Sequence, residues 1–116
     1  MGNRVQLVAD TDRLFPVQAF FNGISGDEFI GVMRNLVAGI GCFLDVASCE
    51  FPGSLDPGEE RFDGVRFSLF EEEVVVDYDV FVRFAVAASV SHVRARPGDR
   101  AELELILAEL PGFIGL

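Results

Sequence analysis

At 116 residues the chain has the length of one domain, residues 1–116, and its 50% hydrophobic content with 12 phenylalanines is ample for a core, which argues against disorder. Its formal net charge of −10 argues against nucleic acid and anionic membranes as direct partners, because a surface this negative repels phosphate. The charge favours a basic partner, although acidic composition also serves solubility alone.

The opening stretch MGNRVQLVADTDRLF lacks the long apolar run and cleavage site of a signal peptide. Gln6 stands where a myristoylation signal carries Ser or Thr. No run approaches the roughly 18 apolar residues of a membrane span. The expected location is the cytoplasm. Within this stretch, residues 4–10 (RVQLVAD) read as a short strand, and Pro16 with VQAFFNGI as an irregular apolar approach to the first helix.

That helix opens at Ser25. SGDE has the form of a capping box, in which the Ser25 hydroxyl accepts from the Glu28 amide and the Glu28 side chain reaches back. Phe29, Val32, Met33, Leu36, Val37 and Ile40 follow at helical spacing, and Gly39 and Gly41 end the run. Residues 42–51 (CFLDVASCEF) read as one strand. Cys42 and Cys49 would then lie about 23 Å apart on opposite faces, too far for a disulfide, and are expected to be free thiols.

The segment PGSLDPGEE reads as a loop with two Pro-Gly turns. RFDGVRFSLF reads as a strand with Val65, Phe67 and Leu69 on one face and Arg66, Ser68 and Phe70 on the other. EEE connects it to a return strand, VVVD, in an antiparallel hairpin. Asp77 is placed to cap a helix over residues 78–94 with a stripe of Phe81, Phe84, Ala85, Ala88 and His92. Pro97 breaks it, and a last helix spans residues 99–110. The predicted fold is α+β: a small antiparallel sheet of three or four strands packed by about three helices.

No enzyme signature survives inspection. Neither acidic segment places carboxylates, Gly and Glu as a calcium loop requires. His92 stands alone within a helix, far from the pattern of a nucleophile and its base. With no second cysteine pair and one histidine there is no zinc pattern, and GIGCFLD lacks the Lys and Ser/Thr of a phosphate loop. No cofactor and no metal are expected.

What stands out is the stretch SLDPGEERFDGVRFSLFEEE, where Asp56, Glu59, Glu60, Asp63, Glu71, Glu72 and Glu73 outnumber Arg61 and Arg66. Phe62, Phe70 and the nearby Tyr78 lie among these carboxylates, and aromatics inside a charged rim are how tight interfaces are built. These ten residues are the candidate partner-binding set. The two carboxylate clusters form either one broad patch or two opposite ends of the sheet. A solvated loop and a charged turn that guards a sheet edge would have the same composition.

FPVQAFFNGISGDEFIGVMRNLVAGIG, a Cys-containing strand, and DPGEERFDGVRFSLFEEEVVVDYDVF together resemble the immunity proteins of bacterial contact-dependent growth inhibition, and within them the CdiI subgroup that protects against ribonuclease toxins. The resemblance spans about residues 14 to 110 and is carried best by FFNGISGDEF and FDGVRFSLFEEEVVV. It implies a small cytoplasmic, non-catalytic protein without cofactor that binds and silences the C-terminal nuclease domain of a sibling's toxin. It carries over no individual binding residue. The alternative is a small acidic adaptor for some other basic protein.

Overall fold

The computed structural model describes residues 5–54, 57–58 and 62–116. The elements are α1 (Phe15–Asn22), α2 (Phe29–Val37), β1 (Cys42–Phe43), β2 (Ala47–Glu50), β3 (Val65–Leu69), β4 (Glu72–Val76), α3 (Tyr78–Ala95) and α4 (Arg100–Leu107), with 3-10 turns at Pro52–Ser54 and Pro97–Asp99. The four strands form one antiparallel sheet in the order β1-β2-β3-β4. The α+β architecture expected from the sequence is therefore present.

The expected strand at the N-terminus is absent over residues 5–10. Side-chain amides of α1 take the place of a neighbouring strand. Gln18 Oε1 accepts from the Leu7 and Val8 amides at 2.7 and 3.0 Å, and its Nε2 donates to the Val8 carbonyl at 3.1 Å. Asn22 does the same for Val5, accepting from its amide at 2.8 Å and donating to its carbonyl at 3.0 Å. The backbone is thus satisfied without a ladder.

The segment expected to be irregular is the helix α1. Pro16 falls in its first turn, where a missing N–H costs nothing. Val17, Phe20, Phe21 and Ile24 are buried at helical spacing. α2 begins at Phe29 rather than at Ser25. Ser25 and Glu28 do meet, the hydroxyl donating to the carboxylate at 2.9 Å, but residues 25–28 form a turn ahead of the helix and the side chain caps no amide. At its other end Ile40 N donates to Asn35 O and Gly39 N to Leu36 O, with Gly39 at φ 79°, a Schellman motif. Ile40 consequently leaves the apolar stripe and is exposed.

The run 42–51 is a hairpin, not one strand. Leu44 N donates to Ala47 O at 2.8 Å, leaving Asp45 and Val46 as its loop. Cys42 and Cys49 are direct cross-strand partners, so the expected 23 Å separation is wrong; both thiols are free. The β3–β4 loop is only Phe70 and Glu71, which places Glu72 and Glu73 inside β4 rather than in the connection.

α1 crosses β2, β3 and β4 on the face that carries Cys49, Val65, Phe67, Val74 and Val76, and α3 packs against α1. Phe20, Phe21, Phe67 and Phe81 meet edge-on or tilted with centroids 5.3–6.3 Å apart, the preferred geometry of aromatic pairs. α2 and α4 pack on each other beyond the β1 edge, burying Met33, Leu36, Leu103 and Leu107. The predicted stripe of α3, Phe81, Phe84, Ala85, Ala88 and His92, is buried throughout.

Candidate partner-binding surface

Antiparallel pairing fixes where the candidate residues stand. Val65 opposes Val76 at one end of β3 and Leu69 opposes Glu72 at the other. Asp63 and Tyr78 therefore belong to the first end, and Phe70, Glu71, Glu72 and Glu73 to the second. Four strand steps of about 3.3 Å separate them by roughly 13 Å. Of the two arrangements the sequence leaves open, the described residues form two ends, not one patch. Asp56, Glu59 and Glu60 lie outside the described residues.

At the first end the aromatics are partly committed to the fold. Phe62 is half-buried, with the Arg66 guanidinium 4.7 Å from its ring centroid. Arg66 is held in turn by Glu50, its cross-strand partner, through Nε and Nη2 at 3.1 and 2.9 Å. Tyr78 opens α3 and leans on Phe81 at 5.3 Å; burial of its ring raises the phenol above its usual pKa. Asp63 is exposed beside it in the chain turn before β3.

The second end is built from both hairpin loops. Strands alternate in direction, so the Asp45–Val46 loop and the Phe70–Glu71 loop emerge on the same side, and Phe70 N donates to Val46 O at 2.9 Å. Asp45, Glu71, Glu72 and Glu73 are all exposed and, among the described residues, none of them forms an ion pair. Five of the described positive or potentially positive groups are engaged elsewhere: Arg34 with Glu102, Arg66 with Glu50, His92 with Asp99, Arg96 with Asp27 and Arg100 with Glu104. Asp45 is not among the sequence candidates, because CFLDVASCEF reads as one strand and hides the turn. An Asp at the middle of such a run is a turn signal.

His92 is a structural pin. Its ring stacks on Phe29 at 4.4 Å and 9°, and its Nε2–H donates to Asp99 Oδ2 at 2.7 Å, tying α3 to the turn that precedes α4. Among the described residues no three His, Cys, Asp or Glu side chains are placed to hold a metal ion, and no helix is long and apolar enough to cross a membrane.

The described residues thus form an α+β domain with carboxylates exposed on its hairpin turns. A family model for CDI immunity proteins matches residues 13–107, and the chain belongs to that family. Immunity proteins of contact-dependent growth inhibition act on a toxin partner and are generally not enzymes. No curated protein matches the chain significantly.

Proposed function

We propose that the chain neutralises a nuclease toxin domain, a ribonuclease by preference, by presenting carboxylates to the basic cleft that would otherwise hold RNA phosphates. The observation that carries this reading is the concentration of exposed, unpaired carboxylates at the turn end of the sheet, Asp45, Glu71, Glu72 and Glu73, on a chain of net charge −10. A cationic cleft attracts such a surface over a Debye length, which raises the association rate toward about 10⁸–10⁹ M⁻¹s⁻¹ at low salt. The partner is a basic domain at the C-terminus of the toxin, met in the cytoplasm, and the chain acts by binding, without cofactor.

Asp63, Tyr78 and Phe62 form the second candidate contact; Asp56, Glu59 and Glu60 remain candidates from the sequence. The test reverses each end separately: Glu71→Lys with Glu73→Lys, and Asp63→Lys. The readout is cleavage of RNA by the toxin domain whose gene adjoins this one, with circular dichroism as the folding control. The turn-end pair is expected to slow association at least about tenfold at low salt and to weaken protection. Wild-type inhibition by both folded variants would remove the carboxylates from the interface, and a domain that the wild-type chain does not inhibit would end the immunity reading.

A further inference from the structure

The turn end carries more than charge. Phe43 and Phe70 are 73% and 74% exposed, and Val46 between them is 44% exposed. The three side chains line one shallow depression with Ser48 and Ser68, which are cross-strand partners on the sheet face turned away from Phe67. α1 packs on the Phe67 face. Val75, 40% exposed, lies on the same sheet face farther along β4, whereas Leu105 is on α4 and Ile114 near the C-terminus.

Phe70 is also strained. Its φ is 53°, and it is the sole residue other than glycine at positive φ among the described residues. It occupies the first position of a two-residue hairpin loop, where glycine is the comfortable choice. A large side chain held there, and left in solvent, contributes nothing to the core and costs the fold free energy. Strain retained at an exposed aromatic is characteristic of a contact made with something else.

We propose that Phe70, with Phe43 and Val46, is the apolar anchor of the interface, seated in an apolar pocket of the toxin domain that is rimmed by Arg or Lys. This rests on the immunity reading above. The occupant follows from charge. Asp45, Glu71 and Glu73 border the patch, so a second copy of this chain would bring the same carboxylates against themselves, on a background of −10 per chain. A cationic partner pairs with that rim and buries the two rings at its centre. Contacts of this kind, a desolvated aromatic centre within a polar rim, hold the complex through the dissociation rate, while the rim sets the association rate.

The experiment uses the full chain and the adjoining toxin domain carrying an inactivating substitution, immobilised for binding kinetics. Phe70→Gly and Phe43→Ser are expected to raise the dissociation rate at least about tenfold and to leave association within about twofold. Leu105→Ser removes an apolar side chain that is 77% exposed and is expected to change neither rate by more than about twofold. Phe70→Gly is also expected to keep or raise Tm, because glycine relieves the loop. That opposition of tighter folding and weaker binding is not what a merely structural residue would give, and it keeps the test open should Phe43→Ser disturb the edge strand. Wild-type dissociation rates for Phe70→Gly would overturn the anchor while leaving the immunity reading intact. Failure of the wild-type chain to bind would overturn both. A wild-type dimer that Phe70→Gly converts to monomer would assign the patch to a second copy and overturn the proposal.

Discussion

Gly64 and Phe70 stand immediately before and after β3, and both hold positive φ. At Gly64, φ is 105° and an added Cβ would collide with the Val76 carbonyl oxygen, a backbone atom that cannot swing aside. Gly64→Ala is therefore expected to cost more than about 2 kcal/mol in urea unfolding, the strain of the conformation adding to the steric clash. Cys49 makes a different residue-scale prediction. Burial, the neighbouring Cys42 and Glu50 all raise its thiol pKa; burial, then Glu28, raises that of Cys42. A raised folded-state pKa means that the unfolded chain releases protons first as pH climbs. Stability is thus full below about pH 8.5 and falls above it, with a slope approaching about 1.4 kcal/mol per pH unit from Cys49. The chain contains no lysine, so no side-chain ammonium titrates in the same range. Urea midpoints measured from pH 7 to 10.5 should fall accordingly, and Cys49→Ala should flatten most of the decline.

The periodicity of α2 and α3 made both legible in the sequence, because one apolar face at period 3.6 must be buried somewhere. The face of β3 was legible for the same reason at period 2. α1 is less legible: Pro16 with VQAFFNGI reads as an irregular approach, although Val17, Phe20, Phe21 and Ile24 carry the helical spacing and Pro16 is harmless in a first turn. The β1–β2 hairpin was hidden because its two-residue loop contains apolar Val46 and no glycine, so composition gave no break. Two of the three anchor residues, Phe43 and Val46, are hidden with it, because they reach the turn end only where the chain folds back. The N-terminal segment was least legible, since its order comes from Gln18 and Asn22 on another element. Gln18→Ala should therefore cost about 1–3 kcal/mol, leaving the Leu7 and Val8 amides without their acceptor, while the Val8 carbonyl keeps Gln6 Nε2 as a donor at 3.1 Å. Hydrogen exchange should show those two amides losing protection while the β3–β4 ladder retains it.

For the molecule as a whole, the same charges pull folding and binding in opposite directions. A net charge of −10 repels itself in the compact state. Exposed pairs such as Arg34–Glu102, at 58% and 53% side-chain exposure, offset little of this. Raising the salt from about 0.01 M to 0.15 M shortens the Debye length from about 30 to 8 Å. Tm should rise by a few degrees over that range, while association with a basic toxin slows. Thermal melts and stopped-flow rates on one set of buffers check both signs. Association that ignores salt would mean that the carboxylates do not steer, whatever holds the complex afterwards.

The strand order β1-β2-β3-β4 matches the order in which the chain is made. No strand has to be threaded between two that are already joined, so the sheet can grow by adding each new strand to a free edge. At about 5–20 residues per second the ribosome delivers the stretch from Cys42 to Val76 in about 2–7 s. Hairpins of this size close in microseconds, far faster than the chain lengthens. Closure of the β1–β2 and β3–β4 hairpins is then paced by translation rather than by a search for distant partners, and α3 and α4 complete the core after the sheet has been delivered.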